Sequence, residues 1–257
     1  MEWTTKQKYL SAAGLLLVAT AAVKVIGAVY KIPLTGLIGG TGRGYFSTAY
    51  TLFMPVHAIT LGAFPVALSG LVSKYRATGD SARVAALQRS ACGLFFWVGL
   101  AGTALMVLLA GPYTRLVAGA PKAVYTVLIL APTALFSAMA AAHRAFAEGH
   151  LNMVPTSVCQ VLEALFKMVF GLLFAKLSMG RLYQIYLDTG MVLGNRAESE
   201  TAALSMMYPV TAACAMLGVT LGALAAWVYA VLYDRFRYPH RLPRQQLPGG
   251  ATRELVR

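Results

Sequence analysis

Between Tyr9 and Tyr233 the chain is a succession of apolar stretches, each of twenty or more residues, separated by short polar segments. They run over roughly 9–32, 45–72, 87–111, 121–146, 154–177 and 202–233. A bilayer core about 30 Å thick takes about 20 apolar helical residues to cross, and all six stretches meet that length. Runs such as Leu105-Met106-Val107-Leu108-Leu109-Ala110 do not alternate, so the in–out pattern of a membrane β-barrel is absent. Charged residues are 12% of the 257 and hydrophobic residues 58%, too few polar groups to cover a soluble globule of this size. Bulk disorder is excluded by the same hydrophobicity. Cys92, Cys159 and Cys214 form no C-x-x-C pair, which argues against a disulfide-built secreted fold. The sequence therefore predicts an all-α integral membrane protein with six transmembrane helices over 1–233.

Positive charge predicts the orientation. With the N-terminus inside, the inner segments hold Lys6, Lys8, Lys74, Arg76, Arg83, Arg89, Arg144, Arg235, Arg237, Arg241, Arg244, Arg253 and Arg257. The outer loops hold Lys31, Arg43, Arg115, Lys122, Lys176, Arg181 and Arg196, and the loop 178–201 adds Asp188, Glu198 and Glu200. Both termini are expected in the cytoplasm. The net charge of +13 then reports topology and attraction to anionic lipid, with no need for a nucleic acid. Residues 1–8, the apolar run after them and Ala19-Thr20-Ala21 resemble a signal peptide. The apolar stretch continues through Val23, Val25, Ile26 and Val29, which favours a retained helix. Residues 234–257 are rich in Arg, Pro and Gln and read as a basic cytoplasmic tail or linker.

Charges inside a span cost about 2.5–3.5 kcal/mol each, so those present are candidates for function. Lys24 lies roughly 22 Å along the first span. It reads either as a cation lining a cavity or as a side chain snorkelling to the headgroups. Lys31, two turns on, shares its face, and such a stripe suits an extended polyanion. Glu163 and Lys167 stand four apart in the fifth span, the acid first, as a structural or coupling ion pair. Gln160, near the same face, could hydrogen-bond sugar hydroxyls. Gly39-Gly40-Thr41-Gly42-Arg43-Gly44 lacks the Gly-Lys-Ser/Thr ending of a phosphate loop and reads as a flexible connection, with Arg43 as a gate residue. Pro55, Pro65, Pro132 and Pro209 remove backbone donors within spans. Gly218 and Gly222 form a small-xxx-small pattern for helix packing, within the lobe or across a homodimer. His57, His143, His150 and His240 have no metal-ligand spacing, and no catalytic cluster appears, so neither a metal, a cofactor nor an enzyme is expected.

Three stretches carry a resemblance. They are Lys24-Val-Ile-Gly-Ala-Val-Tyr-Lys31-Ile-Pro33-Leu with Gly39-Gly-Thr-Gly-Arg-Gly-Tyr45; Phe64-Pro65-Val-Ala-Leu-Ser69-Gly-Leu-Val-Ser73-Lys-Tyr75; and Arg144-Ala-Phe-Ala-Glu-Gly149-His-Leu-Asn152-Met-Val-Pro155 running on to Gln160, Glu163 and Lys167. Up to about residue 233 the chain resembles the polysaccharide-biosynthesis and stage V sporulation protein B-like branch of the MOP flippase superfamily. Lipid II and O-antigen-type flippases are relatives, and MATE multidrug exporters are more distant. The resemblance implies two six-helix lobes, of which this chain supplies the N-terminal one. It implies alternating access that translocates a polyprenyl-diphosphate-linked oligosaccharide, a peptidoglycan precursor or polysaccharide unit, across the bacterial inner membrane. In that reading Lys24, Lys31, Arg43, Gln160 and Lys167 meet substrate, and Lys24 matches a cationic, cavity-facing position. The expected partners are the lipid-linked oligosaccharide, membrane lipid and the C-terminal lobe, supplied by the same gene, a partner chain or a second copy. The alternatives are a cation-coupled drug-exporter lobe and a non-transporting membrane scaffold or truncated remnant. One intramembrane acid against two intramembrane lysines argues against the exporter.

Overall fold

The computed structural model describes residues 5–237, with side chains from residue 13 onward. Most of the expected basic tail and His240 lie outside the described residues. The first element, α1 (Thr5–Leu61), is two helical arms joined at a kink, where one residue, Gly39, has non-helical angles of φ 63° and ψ −176°. The rings of Tyr30 and Phe46 lie 6.5 Å apart. Sixteen residues of straight helix would separate their Cα atoms by about 24 Å. The chain therefore folds back at Gly39, and the two arms of α1 pack together. Only glycine fits here: φ is positive, and a Cβ would lie 2.7 Å from the Tyr208 ring.

The flexible connection expected around 39–44 is thus a one-residue break between two helical arms. Among the described residues five long apolar stretches are counted, one fewer than the six expected, because the first runs from Ala13 to Ala77 through this bend. Two prolines expected inside spans instead begin helices. After a break at Gly62–Ala63, α2 (Phe64–Ala77) has Pro65 in its first turn. In the fourth stretch, α4 (Val124–Leu130) gives way to α5 (Pro132–Gly149) with Pro132 in the first turn. A first-turn proline loses no hydrogen bond, since its N–H would lack a helical acceptor there. Between α2 and α4 runs α3 (Ser81–Pro112), whose Arg83 N–H donates to the capping Asp80 carboxylate at 2.9 Å.

The expected outer loop 178–201 is also largely helical. Helix α6 (Val154–Thr189) ends at Gly190, φ 67°, and α7 spans Glu200–Arg237. Two-residue strands β1 (Met191–Val192) and β2 (Asn195–Arg196) pair antiparallel between them. Leu193 and Gly194 turn the hairpin with φ 52° and 81°, the left-handed pair that a two-residue connection requires. The 36 residues of α6 span about 54 Å, well beyond a 30 Å core, so this helical hairpin projects past the bilayer.

Packing uses small residues, because lipid gives apolar helices no hydrophobic reason to associate. Helix α5 sits against α2, α3 and α7 and buries seven alanines, among them Ala134, Ala138, Ala141 and Ala145. A Cβ on Gly218 of α7 would overlap the Gly171 backbone of α6, and one on Gly222 would lie 2.9 Å from the Glu163 carbonyl oxygen. Gly218 and Gly222 are therefore contact points within this chain. Large apolar side chains such as Leu17, Ile32, Ile59, Trp97 and Leu108 face outward instead. At one end of the bundle the helix ends are tied together. Ser73 Oγ donates to the Gly149 carbonyl at 3.0 Å, Arg76 to the His150 carbonyl at 2.9 Å, and Asn152 Nδ2 to the Tyr233 hydroxyl at 2.9 Å. Gly39, the β-hairpin and Tyr208 lie at the other.

Candidate functional site

A cavity of about 290 Å³ opens within the bundle between α1, α5, α6 and α7. Its first wall is an aromatic ladder on the second arm of α1. Phe46, Tyr50, Phe53 and His57 recur at helical spacing, so they share one face. Adjacent rings touch in turn: Phe46–Tyr50 at 5.3 Å, Tyr50–Phe53 at 6.3 Å and Phe53–His57, stacked, at 5.1 Å. Tyr50, Phe53 and His57 line the cavity, and Tyr30 joins them from the first arm because of the Gly39 bend.

The facing wall comes from α6. Gln160, Glu163 and Lys167 follow one another along one stripe and all line the cavity. The two charged residues do not pair with each other as expected. Glu163 Oε1 lies 3.9 Å from Arg144 Nη1 of α5. Lys167 Nζ sits over three rings, 5.0 Å from the Tyr50 centroid, 5.4 Å from Tyr30 and 5.9 Å from Phe46. The reason is tertiary. Arg144 arrives beside the carboxylate from another helix, and ring faces attract the ammonium with their negative quadrupole. Among the described residues Lys167 has no carboxylate partner, so its charge is held by ring faces alone.

The floor supplies hydroxyls. Ser137 Oγ lies 3.4 Å from His57 Nδ1, and Thr133 Oγ1 lies 3.1 Å from Thr220 Oγ1, which in turn donates to the Ile129 carbonyl at 2.7 Å. The Tyr30 hydroxyl is buried against Gly171 and, among the described residues, has no hydrogen-bond partner. A cation, aromatic faces and hydroxyls around one cavity can take an anionic group and a polyhydroxylated ring together.

Of the residues selected from the sequence, Gln160, Glu163 and Lys167 are brought together. Lys24, Lys31 and Arg43 are exposed and outside the cavity lining. Val23 and Gly27, on either side of Lys24 in sequence, do line the cavity. Arg43 lies just past the Gly39 bend.

The sequence pattern over residues 10–188 matches the model for polysaccharide biosynthesis proteins, well over half of the chain. The chain belongs to this family. Among curated proteins, this polysaccharide biosynthesis family member is 28% identical over 174 residues to the "Lipid II flippase MurJ" of Bacillus subtilis (strain 168), 63% of this chain and 31% of that protein. It is 25% identical over 158 residues to the "Stage V sporulation protein B" of the same organism, 62% of this chain and 30% of that protein. The chain thus aligns with under a third of the length of either relative. No solved structure gives a significant match.

The family member's cavity contains residues that sequence reasoning missed. The four-three-four spacing of Phe46, Tyr50, Phe53 and His57 was visible and marks a single helix face. Arg144 carried no such signal: it neighbours Glu163 only because α5 and α6 meet in space.

Proposed function

We propose that residues 1–233 form the first lobe of a flippase that carries a polyprenyl-diphosphate-linked oligosaccharide across the bacterial inner membrane. The observation that carries this reading is Lys167, an intramembrane cation in a cavity, held by aromatic faces and not neutralised by a carboxylate. A diphosphate would neutralise it. Sugar rings would stack on Tyr50 and Phe53, with Gln160, Ser137 and Thr133 as hydrogen-bonding groups. Lys24 and Lys31 would extend the positive surface along the rim, and Arg43 would act near the Gly39 bend. The Arg144–Glu163 pair keeps the one carboxylate of the cavity compensated, which favours an anionic over a cationic cargo.

The relative named as a lipid II flippase supports a lipid-linked cargo. The prenyl tail would stay in lipid while the headgroup crosses. Rocking against a second lobe would supply alternating access. In this reading the protein transports and does not catalyse. The end bearing Lys74, Arg76, Arg83, Arg235 and Arg237 faces the cytoplasm, and the basic segment 234–257 continues there as tail or inter-lobe linker.

The test is rescue of cells depleted of their own flippase by the native full-length gene product carrying Lys167→Ala. The expected result is normal membrane insertion with loss of rescue and of surface-exposed lipid-linked precursor. Rescue equal to wild type would remove Lys167 from the mechanism.

A further inference from the structure

A second cavity, of about 170 Å³, lies away from the first, between α3 and α5. Gln88, Arg89, Cys92 and His143 line it. Three groups from three helices stand in line beside it. Cys92 Sγ of α3 lies 4.0 Å from His143 Nε2 of α5, and His143 Nδ1 lies 3.1 Å from Asp234 Oδ2 of α7. Gln88 Nε2 donates to the same Asp234 oxygen. His143 is 7% exposed and Asp234 3%, so the imidazole is fixed by its surroundings. The carboxylate takes the Nδ1 hydrogen and leaves Nε2 directed at the thiol. An acid that orients an imidazole that faces a nucleophile is the arrangement that activates side-chain nucleophiles.

The other cysteines are placed differently. Cys159 is buried, and its thiol donates to the Ala226 carbonyl at 3.4 Å. Cys214 is half-buried, as Cys92 is, and differs in having no imidazole beside it among the described residues. No charged residue occurs between Arg89 of α3 and Arg115 beyond its end, so Arg89 marks where the apolar span begins. Cys92 is within one turn of that boundary, and Arg89 is exposed. The cavity therefore sits at the level where water-soluble molecules reach the bundle, with a cation beside it.

We propose that Cys92 is a reactive thiol that forms mixed disulfides with small, anionic disulfides. Cys92 gives its proton to His143 Nε2. The thiolate attacks one sulfur of the incoming disulfide, a new S–S bond forms at Cys92, and the reagent's S–S bond breaks. The departing thiolate takes the proton back from His143 and leaves as a thiol. Arg89 selects for the negative charge on the reagent.

The experiment treats the purified full chain in detergent, near neutral pH, with 5,5′-dithiobis(2-nitrobenzoate) and with neutral dithiodipyridine. Mass spectrometry follows the rate at each cysteine. Cys92 is expected to react at least about tenfold faster than Cys214, as thiolate character dictates. His143→Gln should slow Cys92 about tenfold while leaving Cys214 unchanged. Arg89→Gln should slow only the anionic reagent. Equal rates at Cys92 and Cys214 in the wild-type protein overturn the proposal without any variant. So does a folded His143→Gln protein that reacts at the wild-type rate. If that variant does not fold, the wild-type ratio and the Arg89→Gln selectivity decide.

Discussion

Lys167 Nζ stands 5.0 Å from the centre of the Tyr50 ring, across the gap between α6 and the second arm of α1. Tyr30, on the first arm, reaches the same ammonium because the chain doubles back at Gly39. One backbone bend thus turns two helix faces into a three-sided aromatic cage around a single cation. Such contacts are worth about 0.5–1 kcal/mol at exposed sites and about 2 kcal/mol or more where water is excluded.

That coupling is measurable. Tyr50→Leu should lower the thermal midpoint of the purified protein, and the drop should be smaller when Lys167 is already Met. The double-mutant difference is expected near 1 kcal/mol. Purely additive effects would mean the ring and the ammonium do not interact.

Gly39→Ala should destabilise by about 1–3 kcal/mol from its positive φ, with a further loss from the clash with Tyr208. Adding Tyr208→Ala should restore the clash component and leave the backbone component. A Gly39→Ala protein as stable as wild type would show that the bend lies elsewhere.

At the α6–α7 contact, Gly218→Leu forces the helices apart at Gly171. Overpacking of this kind costs about 1–3 kcal/mol, and the cavity walls on α6 should shift with it. Gly180→Leu, with open space at its Cβ position, serves as the matched control and should be near neutral. Thermal melts of both variants in the same detergent check the pair.

Asp234→Ala removes the carboxylate that holds His143 and receives the Gln88 amide. Leaving the buried His143 and Gln88 donors without their acceptor is expected to cost about 1–3 kcal/mol. Asp234→Asn, which keeps a hydrogen-bonding oxygen, should lose less. Equal stability of Asp234→Ala and wild type would show that the carboxylate is not needed to tie α7 to α3 and α5.

Orientation is tested by single cysteines in the turn between α2 and α3 and at the tip of the β-hairpin. Thr78→Cys should be shielded from an impermeant maleimide in intact cells, and Leu193→Cys should be labelled. The reverse pattern would invert the topology drawn from the basic residues.

The membrane class was legible because bilayer crossing is a matter of length and hydropathy, both local in sequence. The helix ends were read less well. Around 39–44 a run of glycines suggested a flexible connection, yet only Gly39 leaves the helix. The stretch 178–201 carried enough charge to read as a loop, but α6 and α7 continue through much of it as partners. Pro65 and Pro132 were visible as breaks, though not as first-turn residues of new helices.

The candidate site divides along the same line. Sequence alone put Gln160, Glu163 and Lys167 on one stripe, since a helix places residues three and four apart on one face. It also contained the Phe46–His57 ladder in the same code. The partners of those residues depended on which helices met. Glu163 faces Arg144, Lys167 faces Tyr30 and Tyr50, and Cys92 faces His143, which in turn faces Asp234, all across different helices. Periodicity determines what a helix presents. Which neighbour receives it is decided by close packing at small residues such as Gly171 and Gly218 and by the bend at Gly39, contacts that arise only when distant parts of the chain come together.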